Sequence, residues 1–508
     1  MTEHDLTLIA SAGARPAPKD VFEARHLIDG TWRASRSGQT FSRHSPASGT
    51  LVSVVSNGAA QDVEDAIAAA RRAFDDHRWS DVSGKDRAAL LLRVADLIDE
   101  NRTRIALYET LESGKPISQA EAEIEGAADI WRHAAALART IHGDSQNTLG
   151  PDMLGLVLKE PIGVVSLITP WNFPFLIVSQ KLPYALAAGC TAIVKPSEMT
   201  SVTTVLLGEM LIEAGLPAGV VNIVLGFGDP VGAMMSTDPR VDMVSFTGST
   251  DVGKAIVAAT APTLKRVSLE LGGKNPQVVF ADGDLEQAAD AIVFGAYFNV
   301  GQCCNAGSRI IVHENIVQDL TDRVVALSRK VPFGDPLHPD TKVGAIISTD
   351  HNDKIDGYIR QAIENGAKIE IGGATLTVDG LSGQFYQPTV VSGVRPDMAI
   401  ATEEVFGPVL SVLTFKTFEQ AVEITNAASY GLSAGVWSEN IHTCLEFARR
   451  AQVGTVWTNT WMDGFAELPF GGVKQSGLGR ELGRQGIEEY LETKTVQMRI
   501  GKTRQMWV

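Results

Sequence analysis

An alternation of short apolar runs and helical segments across residues 162–271 constrains the fold more than any other feature of the chain. The apolar runs lie at 163–168, 192–195, 220–225, 243–246 and 267–271, and the helical segments between them begin near Phe175, Thr200, Asp229 and Thr250. Short buried strands that alternate with helices form a parallel sheet with right-handed crossovers. We therefore expect a doubly wound, Rossmann-like domain that binds its ligand at the carboxyl ends of the strands.

Length and composition limit the possible classes of protein. The 508 residues are too many for one ordinary core, so we expect two or three domains. Apolar residues make up 44% of the chain and charged residues 20%, as in a soluble globular protein. The net charge of -16 argues against nucleic acid and anionic membranes as partners. The sequence shows no apolar run of transmembrane length and no signal segment, so we expect a cytoplasmic protein.

The rest of the chain divides into an arm, a helical region, a hairpin and a second α/β segment. Residues 1–25 are rich in Ala and Pro and predict an arm that lies on the surface or on a neighbouring subunit. Periodicity predicts helices at 62–75, 85–113 and 120–138, and a hairpin at 141–159. Past Gly273 we expect helices at 282–299, 316–331 and 350–365 and a strand at 308–313.

Two adjacent cysteines, Cys303 and Cys304, follow a Gly-Gln pair in a polar loop at 299–309. Neighbouring cysteines rarely bond to each other without strain, and four cysteines in 508 residues do not form a disulfide framework. We therefore expect free thiols in a reducing compartment. A polar loop is where a nucleophilic thiol is found, although a chance Cys-Cys pair is the alternative.

A glutamate, Glu270, interrupts the apolar run at 267–271 and is followed by the Gly272-Gly273 pair. Glycines allow another backbone to approach closely. Burial raises the pKa of a carboxyl group toward neutrality, which suits it to act as a general base. The alternative is an ion pair between Glu270 and Lys274 at the end of a strand.

Two glycine-rich segments, 226–232 and 246–253, compete for a phosphate site. The first is longer than the usual dinucleotide fingerprint and contains Asp229, which would repel a pyrophosphate. The second follows a strand directly and opens a helix, whose free N–H groups favour phosphate. Upstream, Glu198 follows the strand that ends at Lys195 and could accept ribose hydroxyls, which favours NAD over NADP. Capping of the helix near Thr200 is the alternative role for Glu198.

Five motifs in order resemble those of the aldehyde dehydrogenase superfamily. They are Thr169-Pro170-Trp171-Asn172-Phe173-Pro174, the segment 269–276, the segment 297–308, Glu403-Glu404-Val405-Phe406-Gly407-Pro408 and the segment 469–477. The resemblance extends from about residue 26 to the C-terminus. It implies an NAD-binding domain at 26–140 and 160–272, a catalytic α/β domain at 273–487, and oligomerisation strands at 141–159 and 488–508. In the family such a hairpin reaches a second subunit and pairs with the C-terminal strand, so we expect a homo-oligomer, a dimer or tetramer.

The resemblance implies oxidation of an aldehyde to a carboxylic acid through a thiohemiacetal and a thioester on Cys304. The side-chain amide of Asn172 and the backbone N–H of Cys304 would hold the oxyanion. Glu270 would activate the hydrolytic water. Lys181 and Glu481 match a family pair that relays the proton from this base, with a structural ion pair as the alternative.

Family motifs also assign the binding residues. Those for the cofactor, NAD with NADP possible, are Thr169, Pro170, Trp171, Lys195, Ser197, Glu198, Gly228, Phe246, Gly248, Ser249, Val252, Leu271, Gly272, Glu404 and Phe406. Those for the aldehyde are Phe173, Gln180, Phe298, Cys303, Trp461, Asp463, Phe465 and Phe470. No metal site is predicted.

The substrate is indicated only by a few positions. Gln180 is neither the arginine of semialdehyde-oxidising relatives nor the tryptophan of plant betaine-aldehyde relatives. The loop at 459–467 resembles that of bacterial betaine-aldehyde and aminoaldehyde dehydrogenases, with Asp463 and Glu467 placed to attract a cation. We expect a cationic aldehyde ahead of aliphatic or aromatic ones. The alternatives are a coenzyme A acylating relative, a non-catalytic structural relative and a thiol esterase; the presence of Glu270, Cys304 and the cofactor motifs argues against all three.

Overall fold

The computed structural model describes residues 6–501 and 508. Its first sheet has eight strands. In spatial order they are Gly477–Leu478, Arg266–Glu270, Met243–Thr247, Val164–Ile168, Thr191–Lys195, Val221–Ile223, His26–Ile28 and Thr31–Arg33. The five strands predicted at 163–271 are parallel to one another. Of these five, Val164–Ile168 comes first in the chain yet lies between later strands on both sides, so a ligand-binding switch point lies at its carboxyl end.

The helices of this first unit cover both faces of the sheet. They are Ala60–Asp75, Gly84–Glu100, Arg102–Ser113, Ile117–Ala138, Pro174–Ala188, Val202–Glu213, Ala233–Thr237 and Thr250–Thr260, with a π-helix at Gly228–Gly232 and a 3-10 turn at Ala261–Thr263. The single helix predicted at 85–113 is in fact two, because the chain leaves helical geometry at Asn101. Gly114 adopts a left-handed conformation that ends the second of them.

A second sheet has seven strands, all parallel except the first edge strand. In spatial order they are Lys368–Ile371, Thr389–Ser392, Val409–Phe415, Arg309–His313, Pro276–Val279, Ser433–Trp437 and Thr455–Thr458. Its helices are Leu285–Tyr297, Val317–Ser328, Thr349–Glu364, Ala399–Thr402, Phe418–Asn426 and Ile441–Arg450, with 3-10 turns at Phe298–Gly301 and Glu314–Ile316. The predicted Rossmann-like unit and second α/β unit are both confirmed.

Smaller sheets surround these two. The predicted hairpin is formed by Asp144–Gln146 and Met153–Pro161, and the latter pairs antiparallel with Leu491–Arg499 of the same chain. Phe22–Ala24, Thr40–His44 and Leu51–Ser56 form a further three-stranded sheet. Two-stranded pairs join Thr375–Leu376 to Phe385–Tyr386 and Tyr430–Gly431 to Val473–Lys474, and the short helix Gly483–Glu488 precedes the final strand.

The N-terminal arm lies against its own chain. Leu8–Ile9 pairs in parallel with Phe333–Gly334 of the second unit. Arg15 then forms a 2.6 Å ion pair with Glu121 of the first unit. The arm therefore crosses both units. Residues 1–5 of the predicted arm and 502–507 of the predicted C-terminal strand lie outside the described residues.

The chain passes directly between the two large sheets. Residues 271–275 lead from Arg266–Glu270 of the first sheet to Pro276–Val279 of the second, and residues 459–476 return from Thr455–Thr458 to the edge strand Gly477–Leu478. The loops after Val164–Ile168 and before Arg309–His313 reach the same junction. Among the described residues no helix is long and apolar enough to cross a membrane.

Candidate active site

A cavity of about 540 Å³ opens at the junction of the two sheets. Glu270 and Leu271 line it from the first sheet, and Cys303, Cys304 and Asn305 line it from the loop that leads into the second. The helix that follows Asn172 contributes apolar wall residues. Residues that lie more than a hundred positions apart in the sequence therefore share one pocket.

Cys304 is partly exposed to this cavity, whereas Cys303 is only 4% exposed. The amide nitrogen of Asn275 donates to the Cys304 carbonyl at 2.7 Å and to the Ala306 carbonyl at 3.1 Å. A Cβ at Gly273 would lie 2.5 Å from the Cys304 carbonyl oxygen, so only glycine allows this approach. The cysteine backbone is thus held against the segment that connects the sheets.

The thiol environment favours the protonated form of Cys304. Its hydrogen bond with Cys303, followed by burial, raises the pKa of the Cys304 thiol well above its ordinary value. The backbone N–H of Asn305 donates to the sulfur and opposes this rise in pKa. Since the thiolate is the reactive form, Cys304 depends on a nearby base.

Glu270 ends the strand Arg266–Glu270 and is 5% exposed. Burial, followed by the negative charge of Glu481, raises the pKa of the Glu270 carboxyl well above its ordinary value. A Cβ at Gly471 would lie 2.5 Å from Glu270 Oε1, which explains a glycine in the 469–477 motif. Within residues 6–501 and 508 neither Glu270 nor Lys274 has a hydrogen-bonding side-chain partner, so the alternative ion pair between them is not formed.

Asn172 is 4% exposed and lies between the strand Val164–Ile168 and the helix Pro174–Ala188. Its amide nitrogen donates to the Gln302 carbonyl at 3.0 Å, two residues before Cys304. The amide has a second N–H for another acceptor. The structure thus brings the predicted oxyanion donor next to the cysteine loop.

The predicted Lys181 and Glu481 pair is present and buried. The ammonium of Lys181 donates to Glu481 Oε1 at 2.6 Å and to Ser245 Oγ at 2.9 Å. Glu481 contributes to the raised pKa of Glu270, so the pair and the carboxyl group interact electrostatically. Both uses considered from the sequence, a relay and a structural ion pair, are compatible with this position.

The predicted cofactor residues gather at the carboxyl edge of the eight-stranded sheet. Lys195 ends a strand, and its ammonium lies 3.7 Å from the Glu198 carboxylate. Next to the switch point, Ser249 caps the helix Thr250–Thr260 by accepting from the Val252 N–H. The other predicted residues of this edge lie at the ends of its parallel strands or in the first turns after them. They are Thr169, Pro170, Ser197, Gly228, Phe246 and Gly248.

Glu404 and Phe406 approach the same junction from the second unit. Glu404 Oε1 accepts from the Gly273 N–H at 2.9 Å, and burial raises the pKa of Glu404 to about 7. A Cβ at Gly272 would lie 2.5 Å from Glu404 Oε2. Phe406 has a φ of 60° and packs edge-on against Trp171 with ring centroids 5.4 Å apart. His351, which sequence reasoning missed, lies 2.6 Å through its Nε2 from the Phe406 carbonyl oxygen.

Most predicted substrate residues line the cavity, with two corrections. Phe173, Gln180, Phe298, Cys303, Asp463, Phe465 and Phe470 all contribute to its wall. Trp461 does not; it is 4% exposed and packs over Gly295, Gly307 and Gly435, where only glycine leaves room for an indole. Glu467 is exposed but is not part of the wall. Trp457 and Phe294 occupy the aromatic positions that sequence reasoning missed.

The wall also contains a buried acid that the sequence did not single out. Glu123 forms an ion pair with Lys115, which also pairs with Glu109 at 2.8 Å. The Lys115 ammonium lies 4.4 Å from the centroid of the Phe173 ring. Burial raises the pKa of Glu123 well above its ordinary value. Glu123 is one of several glutamates in an amphipathic helix, so no local signal marks it as a wall residue.

Comparisons with known proteins show which family this chain is similar to. The family model described as the aldehyde dehydrogenase family matches residues 32–496. Betaine aldehyde dehydrogenase of Bacillus subtilis is 42% identical over 92% of this chain and 96% of its own. Human retinaldehyde dehydrogenase 3 is also 42% identical, over 94% of this chain and 93% of its own.

Similarity in structure covers nearly the whole molecule. The crystal structure of an NAD-dependent aldehyde dehydrogenase from Sinorhizobium meliloti is 49% identical and matches with a TM-score of 0.96, covering 99% of both chains. The matched range, residues 32–496, spans Cys304, Glu270 and Asn172. This chain belongs to the aldehyde dehydrogenase family.

Proposed function

We propose that this enzyme oxidises a cationic aldehyde to its carboxylic acid with NAD, through a covalent adduct on Cys304. One observation carries the proposal: Cys304 and Glu270 line the same cavity, and the Asn172 amide is bonded to the cysteine loop. A thiol, a carboxyl group with a raised pKa and a positioned amide donor are the groups that acyl chemistry on cysteine requires. Five family motifs supply them together.

The edge of the eight-stranded sheet fits a dinucleotide. The Glu198 carboxylate, a third exposed, is free to accept ribose hydroxyls beside Lys195. The N-terminus of the helix Thr250–Thr260 offers backbone N–H groups to the pyrophosphate, and Glu404 is a carboxylate acceptor for the second ribose. When bound, NAD accepts the hydride released by the oxidation. We therefore assign cofactor binding to residues 26–140 and 160–272 and catalysis to 273–487.

The reaction assigns a separate role to each residue of the cavity. Cys304 attacks the aldehyde carbon, and Asn172 with the Cys304 N–H holds the resulting oxyanion. After oxidation the thioester on Cys304 is hydrolysed by water that Glu270 deprotonates, for which a raised pKa is suited. The ion pair of Lys181 and Glu481 takes the proton onward.

Relatives named for betaine aldehyde and for retinaldehyde are both 42% identical to this chain, so identity does not distinguish these substrates. The charges of the cavity wall do. Besides Glu270, two acids face the cavity, Asp463 at its exposed mouth and Glu123 deeper inside. Lys115 is already balanced by Glu109, so a cation beside Glu123 would favour the ionised form of this acid and oppose the rise in its pKa that burial causes. A cation is stabilised by these charges and by the aromatic faces around them.

A panel of aldehydes tests this assignment. NADH formation is followed with betaine aldehyde, an aminoaldehyde, succinic semialdehyde, hexanal and benzaldehyde, each with NAD and then NADP. We expect kcat/KM at least about tenfold higher for the cationic aldehydes, since a desolvated cation over an aromatic face gains about 2 kcal/mol. A preference for hexanal or benzaldehyde would show that the aromatic wall selects the substrate, and the proposal of a cationic substrate would fail.

Assembly is the last part of the proposal. Within residues 6–501, Met153–Pro161 is the central strand of a sheet whose outer strands are Asp144–Gln146 and Leu491–Arg499, and an outer strand of a sheet is commonly covered by another chain. We assign this sheet to contacts between subunits of a homodimer or homotetramer. Sedimentation of the purified protein measures the number of subunits, and a monomer would contradict the assignment.

A further inference from the structure

The segment between the helix Leu285–Tyr297 and Cys304 is held in a costly backbone conformation. Asn299 and Val300 have φ values of 49° and 61°, and both are buried. A left-handed conformation is tolerated by asparagine but is an outlier for a β-branched valine. Such strain persists where surrounding contacts fix the backbone, and it concentrates at functional sites. One of the hydrogen bonds that fix this segment joins it to Asn172.

The side-chain amide of Asn299 joins two loops of the active site. Its nitrogen donates to the Asn172 carbonyl at 2.9 Å and to the Gln302 carbonyl at 3.0 Å. Gln302 also accepts from the Asn172 amide at 3.0 Å. Because both acceptors near the Asn299 amide are carbonyl oxygens, the amide must present its nitrogen to them. One buried side chain therefore fixes the separation between the oxyanion donor and the cysteine loop.

Asn299 is itself held from the first unit. Gln119, on the helix Ile117–Ala138, accepts the Asn299 backbone N–H at 3.0 Å through its side-chain oxygen. The nitrogen of the same side chain donates to the Lys342 carbonyl at 3.0 Å. This second contact ties the helix to the loop before Thr349–Glu364. The cysteine loop is thus positioned by contacts with both units.

We infer that Asn299 is a positioning residue of the reaction, which acts by holding the Asn172 amide at a fixed place relative to Cys304. The inference rests on the proposed function, in which Asn172 stabilises the oxyanion. Donors in such a site act through preorganisation, and a displacement of about 1 Å can cost about a hundredfold in rate. Asn299 touches neither substrate nor cofactor in this role.

A double-mutant cycle tests the inference. Asn299→Gly keeps the left-handed backbone accessible and removes the amide. We expect kcat to fall by about ten- to a hundredfold while KM for the aldehyde stays within about twofold. Asn299→Asp keeps the shape of the side chain but places its oxygens against two carbonyl oxygens. We expect kcat of this variant to fall by as much as that of Asn299→Gly. Added to Asn172→Ala, Asn299→Gly should cost little more, because residues that act through one another are not additive.

A control separates positioning from stability. Asn222 is also buried, accepts from the Asp29 N–H at 2.9 Å and donates to the Gly219 carbonyl at 2.8 Å, within the first sheet. Asn222→Ala should lower Tm and leave kcat of the folded enzyme unchanged. If Asn299→Gly only lowers Tm in the same way, the inference is overturned.

The outcomes also distinguish the two proposals. Full activity of Asn172→Ala would remove the oxyanion role and the inference with it. If Asn172→Ala lowers kcat and its effect simply adds to that of Asn299→Gly in the double variant, the proposed function stands. Only the role of Asn299 is then overturned. If Asn299→Gly does not fold, Gln119→Ala takes its place, since Gln119 is only half-buried. We expect a smaller loss of kcat from this variant, and again little further loss when it is combined with Asn172→Ala.

Discussion

The inner end of the cavity and its mouth are built in different ways. At the inner end, Cys304 and Asn172 are fixed by hydrogen bonds between buried amides and backbone carbonyls. At the mouth, Asp463 is exposed and accepts a hydrogen bond from its near neighbour Thr460, while Phe465 is 58% exposed. The first set depends on backbone geometry and the second on exposed side chains of a loop.

The buried inner end therefore determines the rate of the reaction, and the exposed mouth determines which aldehyde is preferred. Buried side chains whose partners are backbone atoms are expensive to move, so the reacting groups keep their places whatever the wall contains. Exposed loop side chains can change without loss of the core. We therefore expect substitutions at the inner end to reduce turnover of every aldehyde and substitutions at the wall to change the ranking of aldehydes.

The largest effect is expected for Cys304→Ala. Removal of the nucleophile should lower aldehyde oxidation by at least about ten-thousandfold, because no other step can substitute for the covalent adduct. Cofactor binding, measured by fluorescence titration with NAD, should stay unchanged. Cys444→Ala, which removes a buried thiol outside the cavity wall, is the matched control and should retain turnover. Substantial activity in Cys304→Ala would show that the inner end does not contain the nucleophile.

Glu270→Gln should have the next largest effect, a loss of about a hundred- to ten-thousandfold in steady turnover with an initial burst of NADH preserved. Because burial raises the pKa of Glu270, the basic form is lost as pH falls. Steady turnover of the parent enzyme should therefore rise with pH through that pKa, and the variant should show no such rise. Stopped-flow and steady-state rates over a pH series measure both. A missing burst would assign Glu270 to an earlier step, such as activation of the Cys304 thiol.

The same contrast explains how much could be predicted from the sequence. Cys304, Glu270 and Asn172 could be assigned because their motifs resemble those of the aldehyde dehydrogenase family, and the strands next to Glu270 and Asn172 have a clear apolar pattern. Glu123 and Trp457 have no such signal, since each reaches the wall only through packing between distant elements. Trp461 illustrates the opposite error, because an aromatic residue beside the pocket loop is in fact buried over three glycines.

The ends of helices were harder to predict from the sequence than the positions of buried strands. The helix predicted at 85–113 divides at Asn101, where a turn-favouring residue was passed over because the apolar spacing continues beyond it, whereas the strands at the switch point were placed within a residue or two. Periodicity reports which face is buried but not where a helix stops. The link between Asn299, Asn172 and Gln302 could not be predicted either, because it depends on two left-handed residues that no propensity favours.

Glu123→Gln tests the inner acid of the wall. It removes the carboxyl group that a bound cation would ionise and leaves Lys115 paired with Glu109 at 2.8 Å. KM for cationic aldehydes should rise by about tenfold or more, as expected for a buried charged contact, and kinetics with hexanal should change by less than about twofold. An equal change for both substrates would mean that Glu123 only supports Phe173, whose ring lies over Lys115.

Asp463→Asn should have the smallest effect. An exposed charge near a cationic ligand contributes about 0.2–1 kcal/mol, so kcat/KM for cationic aldehydes should fall by about fivefold at most. The loss should shrink with added salt, because exposed charges are screened and buried ones much less. Measuring both variants over a salt series compares the mouth with the inner wall directly. If Asp463→Asn costs more than Glu123→Gln and its effect persists at high salt, the cation is recognised at the mouth, and Glu123 is a structural partner of Lys115.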